Sequence, residues 1–387
     1  MRYRWIIFGC WMLASLGLWS QNGFHERLDA RNLPDSAKID LLNDHAWTLT
    51  KTAPDSAEFY AREAISRSQK AGDYAKGLIN ANILLGILNK DRGYYGLSVE
   101  HYLQALQRAE SIGDSLRVSG CLNNLGSVYY EQGNFLKSLS YFQRSLAIEN
   151  KLGKDKGQQS IRLVNIGDAY FKLDSLDKAA AFYYNSLLIE EDLKNEDGMF
   201  YARLGIGRVD TRKGNFVNAQ AELTRALDYA QRLGNNPGIC ETQIAFGELF
   251  LAQGLLPQAA AALDSALAKA RKFEFQGLEI QSLGAVYKVQ KQQGNLAAAN
   301  KTLEQYYALR EKVNSTEVNS RIGELQMRYE LDKKEQEIAL FRKNEELQDA
   351  EMKYERKLRN YLLFSVFVTL ALILFNLYRA RSRNDGQ

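Results

Sequence analysis

Little in this chain is equipped to do chemistry. Histidine and cysteine occur three times each in 387 residues. His25, His45 and His101 stand apart, with no second ligand at metal spacing, so no metal centre is expected. There is no phosphate loop of the Walker type, no nucleophile elbow and no glycine-rich nucleotide motif. Paired acids such as Glu190-Glu191 and Glu345-Glu346 sit among charged neighbours in helical segments and read as solvated faces. The expectation is a protein that is not an enzyme and needs no cofactor. Charge of one sign is lacking too: the formal balance is +4, with 25% of residues charged and no basic patch on one element, which argues against a nucleic-acid surface. Cys10 falls in an N-terminal apolar run. Cys121 and Cys240 are separated by three sequence repeats, too far for a bond that needs about 6 Å between Cα atoms, and are expected to be free thiols.

What the chain has instead is a period. Gly86, Gly126, Gly167, Gly207, Gly247 and Tyr287 occupy one slot at steps of 40 or 41 residues, the mark of a solenoid. Each unit reads as two amphipathic helices, most clearly from Leu122 to Gly153. Leu125, Gly126 and Tyr129 form one stripe, and Leu139, Phe142, Leu146 and Ile148 form another beyond the Gly133-Asn134 turn. The turn glycine recurs at Gly93, Gly214, Gly254 and Gly294, with Asp174 replacing it once. Twelve residues after the small slot comes a second small residue (Ser138, Ala179, Ala219, Ala259, Ala299). Four further on comes a large one (Tyr102 and Phe142 through Leu303).

This alternation of size around a fixed turn resembles the tetratricopeptide repeat. The long period resembles the subclass found in kinesin light chains and bacterial peptide-sensing regulators. The resemblance implies an all-α superhelical solenoid of about seven helix pairs over residues 40–309, with an atypical first unit in which Pro54-Asp55 replaces the usual turn. It also implies a concave groove, lined by the first helix of each pair, that holds a peptide or protein ligand. In the light-chain-like subclass an asparagine two before the small slot hydrogen-bonds the ligand backbone. Asn124 and Asn165 match that slot, with Asn123, Ser127, Tyr130, Asp168, Phe171, Arg208 and Arg212 as neighbouring groove candidates. The alternative for the two asparagines is capping or solvation of helix surfaces.

Both ends read as membrane-directed. Met1 to Arg4 is basic, Trp5 to Trp19 is uncharged and apolar, and Ser20 is small, the three parts of a signal peptide over residues 1–20, with an uncleaved anchor as the alternative. Residues 21–39 form a lead-in. Tyr361 to Tyr378 is an 18-residue apolar run with tyrosines at its edges, expected to be one transmembrane helix. Basic residues stand on both sides of it, so orientation follows the signal peptide: repeats in the periplasm, a single-pass inner-membrane anchor, and residues 379–387 in the cytoplasm. Residues 310–360, proline-free and rich in Glu, Lys, Gln and Leu, read as a long helix or coiled coil. Leu340, Leu347, Tyr354 and Tyr361 recur every seven residues, which favours a homodimer over a single solvated helix or one packed on the repeats.

This order of parts resembles the periplasmic sensory half of bacterial tetratricopeptide-containing sensor histidine kinases and membrane-bound regulators, without the output domain. It implies a non-catalytic binding module in envelope signalling, acting through a separate histidine kinase or regulator. A static scaffold for envelope assembly or export, or a truncated kinase remnant, are the alternatives.

Overall fold

The computed structural model describes Phe24, Leu28, residues 33–313, 343–344, 347–348, 351–362 and Thr369. Two compact units are present, Met1–Gly323 and Glu324–Gln387. Among the described residues of the first unit, fourteen helices form seven successive pairs. They are α1 (Asp35–Leu49) with α2 (Pro54–Lys70), α3 (Ala75–Asp91) with α4 (Tyr95–Ser111), and α5 (Ser115–Glu131) with α6 (Phe135–Leu152). Then follow α7 (Lys156–Lys172) with α8 (Leu176–Leu193), α9 (Glu196–Lys213) with α10 (Phe216–Arg232), α11 (Asn236–Ala252) with α12 (Leu256–Lys272), and α13 (Gln276–Gln292) with α14 (Leu296–Val313). The seven-pair solenoid anticipated from the period is therefore the observed fold, with helices extending a few residues beyond the expected limits at each end.

The periodic glycines set the distance between the two helices of a pair. A Cβ placed on Gly126 would stand 2.6 Å from ring atoms of Phe142, and one on Gly247 would stand 2.4 Å from Leu263. The same geometry recurs at Gly86 against Tyr102, Gly167 against Tyr183 and Gly207 against Leu223. Large residue on the second helix and hydrogen atom on the first are thus complementary, and the large residues are almost fully buried. The second small residue supports the contact, as where Ser98 Oγ donates to the Gly86 carbonyl at 2.7 Å. Tyr287 breaks the series, and in the last pair the nearest glycine, Gly284, lies at ordinary van der Waals distance from Tyr306. From the second pair onward the turn within a pair closes through a left-handed residue, such as Gly133 at φ 79° or Asp174 at φ 57°. Asp114, Asn134, Asp155 and Asn235 cap helix N-termini by accepting backbone N–H groups.

Pairs stack on one another through a succession of small apolar clusters rather than one central core. In the first pair, Pro54 opens α2, where it loses no hydrogen bond, and Ala57, Ala61 and Ala64 are wholly buried. Two lead-in residues join this cluster: Leu28 is buried, and Phe24 stacks on His45 at 3.9 Å between ring centroids. His45 is therefore a packing residue, while His101 Nδ1 lies 2.9 Å from Asn82 Oδ1. Both described cysteines are free and buried, and burial pushes the Cys240 thiol up to about 11. No group of metal-ligating side chains occurs among the described residues.

Ionic contacts that the repeat pattern did not reveal tie successive pairs together. Arg92 reaches Asp55 at 2.6 Å, Arg108 reaches Asp73 at 2.7 Å, Lys213 reaches Asp177 at 2.6 Å and Arg232 reaches Glu196 at 2.6 Å, each about one repeat apart in sequence. Most are solvent-exposed and individually weak. A different case is Glu149 on α6 with Arg162 on α7, 3.5 Å apart and with side chains only 1% and 5% exposed. Ser119 donates to Glu149 at 2.6 Å and Arg162 donates to Ser145 at 3.2 Å, which satisfies part of the desolvated pair.

The expectation of one transmembrane helix, and with it single-pass placement in the inner membrane with periplasmic repeats, is corrected. Among the described residues no helix is long and apolar enough to cross a membrane. A span needs about 20 apolar residues. The described helical stretch 351–362 is instead interrupted by Lys353, Glu355, Arg356, Lys357 and Arg359 and is exposed throughout. Of the apolar run, only Tyr361, Leu362 and Thr369 are described. The signal peptide, the cytoplasmic tail and most of the proposed coiled coil lie outside the described residues.

Candidate groove site

First helices of successive pairs touch one another along one side of the solenoid: α3 packs on α5, α5 on α7, α7 on α9, α9 on α11 and α11 on α13. The superhelix closes far enough that α13 and α14 come opposite α3 and α5. One cavity of about 360 Å³ is bounded by Lys90, Tyr95, Tyr130 and Phe135 on one wall and by Gln276, Ile280, Tyr306 and Arg310 on the other. A second, of about 630 Å³, and a third, of about 420 Å³, share Lys172 and Gln281 with the first. The three form one continuous hollow inside the solenoid.

The lining follows helical periodicity. Counted from the small slot, the next residue of α5, α7, α9, α11 and α13 faces the hollow: Ser127, Asp168, Arg208, Glu248 and Lys288. Six residues before the slot, Ile161, Tyr201, Glu241 and Gln281 do the same. These positions are seven residues apart, two helical turns, and so lie on one face. The slot two before the small residue falls between them, and the slot five after it, which holds Glu131 and Lys172, continues the stripe.

The sequence candidates divide accordingly. Asn165, Tyr130, Asp168, Arg208 and Ser127 line the largest cavity. Asn123 does not line it but accepts a hydrogen bond at 2.8 Å from Asn165 Nδ2 across the α5–α7 contact, which fixes the Asn165 amide. Asn124 is half-buried and lines none of the three cavities. Arg212 turns away, pairing with Asp174 at 2.6 Å and lying over the Phe171 ring at 5.6 Å. Phe171 lines the third cavity. Glu131, Lys172, Tyr201, Glu241, Glu248 and Gln281 were missed. The i, i+4, i+7, i+11 spacing of one helix face would have found them.

Several ionisable groups of the hollow are shifted by burial. Tyr183, buried against Gly167, donates its hydroxyl to Asp168 Oδ1 at 2.7 Å. Burial nonetheless holds the Asp168 carboxyl above the usual range, opposed by that bond and by Arg208. Burial likewise raises Glu131 and pushes Glu241 up to about 7, where Arg208 opposes the shift and the Asp168 and Glu131 charges add to it. Burial works against the Arg208 charge, but Glu248, Glu241, Tyr130 and Asp168 more than offset it, so the guanidinium is held firmly charged. Its Nε is buried with no hydrogen-bond partner. The hollow thus offers polar groups at fixed positions, among them the Arg208 Nε donor that is not satisfied by any described residue.

The tetratricopeptide-repeat family model matches residues 77–151, 118–189 and 198–272, covering helices α3 through α12. Over those residues the solenoid is a tetratricopeptide-repeat array. Among solved structures, the apo form of RapI is similar, with a TM-score of 0.58 at 17% identity over 71% of this chain and 98% of that one. A Rap protein complexed with Competence and Sporulation Factor gives 0.61 at 12% identity, covering 76% and 80%. The Rap conjugation gene regulator of the plasmid pLS20, in complex with the Phr* peptide, gives 0.52 at 15% identity, covering 71% and 95%. At these identities the likeness is one of fold. No curated protein matches the chain in sequence.

Proposed function

We propose that this chain is a non-catalytic, regulatory binding module whose hollow takes up a peptide or an extended protein segment. The observation that carries the reading is the continuous hollow itself. It is walled by the first helices, roomy enough for several residues, and furnished with the ordered Asn165 amide and with Arg208 Nε, a donor that no described residue satisfies. Solenoid interiors with such walls serve as extended binding surfaces. Two structures of similar fold support it, one complexed with Competence and Sporulation Factor and one with the Phr* peptide. Asn165 is the residue assigned to the ligand backbone. Transmission to a separate histidine kinase or regulator rests on the sequence resemblance alone.

A photo-cross-linking amino acid placed at Ser127, inside the hollow, and separately at Leu136, 71% exposed at the start of α6, tests the assignment in cells. Adducts specific to Ser127 and lost on Asn165→Ala are expected. Equal adducts from both positions, or adducts from Leu136 alone, would refute it.

A further inference from the structure

The charge inside the largest cavity is opposite in sign to that of the chain. Its walls carry Glu131, Asp155, Asp168, Glu190, Asp197 and Glu241. Against these six carboxylates stand Lys90, Lys172 and Arg208, a formal −3 on the wall of a protein whose total is +4. Three of the six are engaged: Asp155 accepts the Gln158 backbone N–H at 3.0 Å, Glu190 accepts from Asn195 at 2.8 Å, and Asp168 accepts from Tyr183. Glu131, Asp197 and Glu241 have neither a hydrogen bond nor an ion pair with any described residue. Arg208, whose charge acts on both Asp168 and Glu241, forms no ion pair within 4.0 Å with either.

The walls between these carboxylates are apolar or aromatic. Tyr130, Phe142, Ile161 and Tyr201 line the same cavity. Aromatic faces attract cations, and an apolar wall accepts the methylene stem of a long basic side chain while its head meets a carboxylate. Excess negative charge and π-faces in one enclosed space both select positive charge.

We propose that the ligand of this groove is cationic: a peptide segment whose lysine or arginine side chain sits among Asp168, Glu241 and Glu131. This deepens the peptide-binding reading and rests on it. Glu241 on α11 faces Arg208 on α9, Asp168 and Lys172 on α7, and Glu131 and Tyr130 on α5, with Glu248 further along its own helix. Its carboxyl gains charge as pH rises through about 7, so the segment binds more tightly at pH 8 than at pH 6 and releases protons as it binds.

The test is selection of a random hexapeptide library on the full chain, followed by fluorescence anisotropy on the most enriched peptide at low and high salt. Enrichment of Lys or Arg at one position is expected, with affinity falling as salt rises. Glu241→Gln should weaken binding by about tenfold, and Arg208→Gln, which removes the competing cation, should tighten it. A purely structural role would shift both variants in the same direction. Asp168→Asn, which keeps an acceptor for Tyr183, is the second variant should Glu241→Gln fold poorly. Enriched peptides with no basic preference, or with Asp and Glu preferred, would overturn the cationic inference while leaving peptide binding intact. No enrichment of any peptide would overturn both.

Discussion

The most demanding prediction concerns two glycines on one helix. Gly120 and Gly126 both lie within α5, six residues apart. A Cβ on Gly120 would meet nothing within 4 Å, whereas one on Gly126 would press to 2.6 Å from two atoms of the Phe142 ring. Replacing a helical glycine by alanine gains about 1 kcal/mol of propensity at either site. At Gly126 the gain is opposed by overpacking, about 1–3 kcal/mol, because the buried ring must rotate away or the helices must separate. Gly120→Ala should therefore raise stability by about 1 kcal/mol, and Gly126→Ala should lower it by about the same amount. Urea unfolding followed by circular dichroism would measure this, with midpoints compared because repeat arrays do not always unfold in one step. Gly126→Ala combined with Phe142→Ala, which removes the ring that the new Cβ would meet, should cost less than the sum of the two single substitutions, a coupling between the sites. Stabilisation by both single substitutions would refute the claim that helix approach depends on the missing side chain.

Three further outcomes follow from the geometry. Lys194 holds φ 54° at the link between α8 and α9, so Lys194→Gly should raise the thermal midpoint, by about 1 kcal/mol in free energy, and a fall would mean the left-handed link is not strained. Arg162→Met, which strands the buried Glu149 charge, should cost about 3 kcal/mol or more in urea unfolding, and replacing both partners by apolar residues should recover most of it. Glu241 has a folded-state pKa raised from 4.5 to about 7, so its contribution to stability is complete below about 4.5 and is lost as pH rises through about 7. Stability should accordingly fall between pH 5 and pH 8 in the unliganded protein, and Glu241→Gln should flatten that slope. A slope unchanged in the variant would assign it to other groups.

Much of the solenoid was legible locally. Residue size at the small slot and sixteen residues later, together with the turn chemistry at Gly133 and Asp174, is enough to specify a helix pair. Each feature acts within a single unit and requires no distant partner. Part of the hollow was legible for the same reason, since Asp168 and Arg208 follow the small slot directly. Lys194 and Glu274, at φ 54° and 58°, show the limit of turn chemistry as a signal: lysine and glutamate at those links carry none, and only the packing of the flanking helices holds them there.

Other assignments failed because they depend on what lies opposite. Asn124 and Asn165 share one slot, yet only Asn165 lines the hollow, and Arg212 shares its slot with Lys172 but is drawn off by Asp174. The transmembrane expectation treated an apolar run as sufficient, whereas among the described residues no helix is long and apolar enough to cross a membrane, and the one leading into the run carries Lys353, Glu355, Arg356, Lys357 and Arg359. By itself, then, the sequence determined the repeat, the helix pairs and the slots from which first-helix residues can face inward, because those follow from spacing within about forty residues. Only the tertiary structure decided that Gln281 and Tyr306 stand across from Tyr130, that carboxylates from α5, α7 and α11 share one enclosed space, and that the space is net negative. Those relations arise from the small rotation between neighbouring pairs, accumulated over the array. Packing between helices sets that rotation, and no single stretch of sequence carries it.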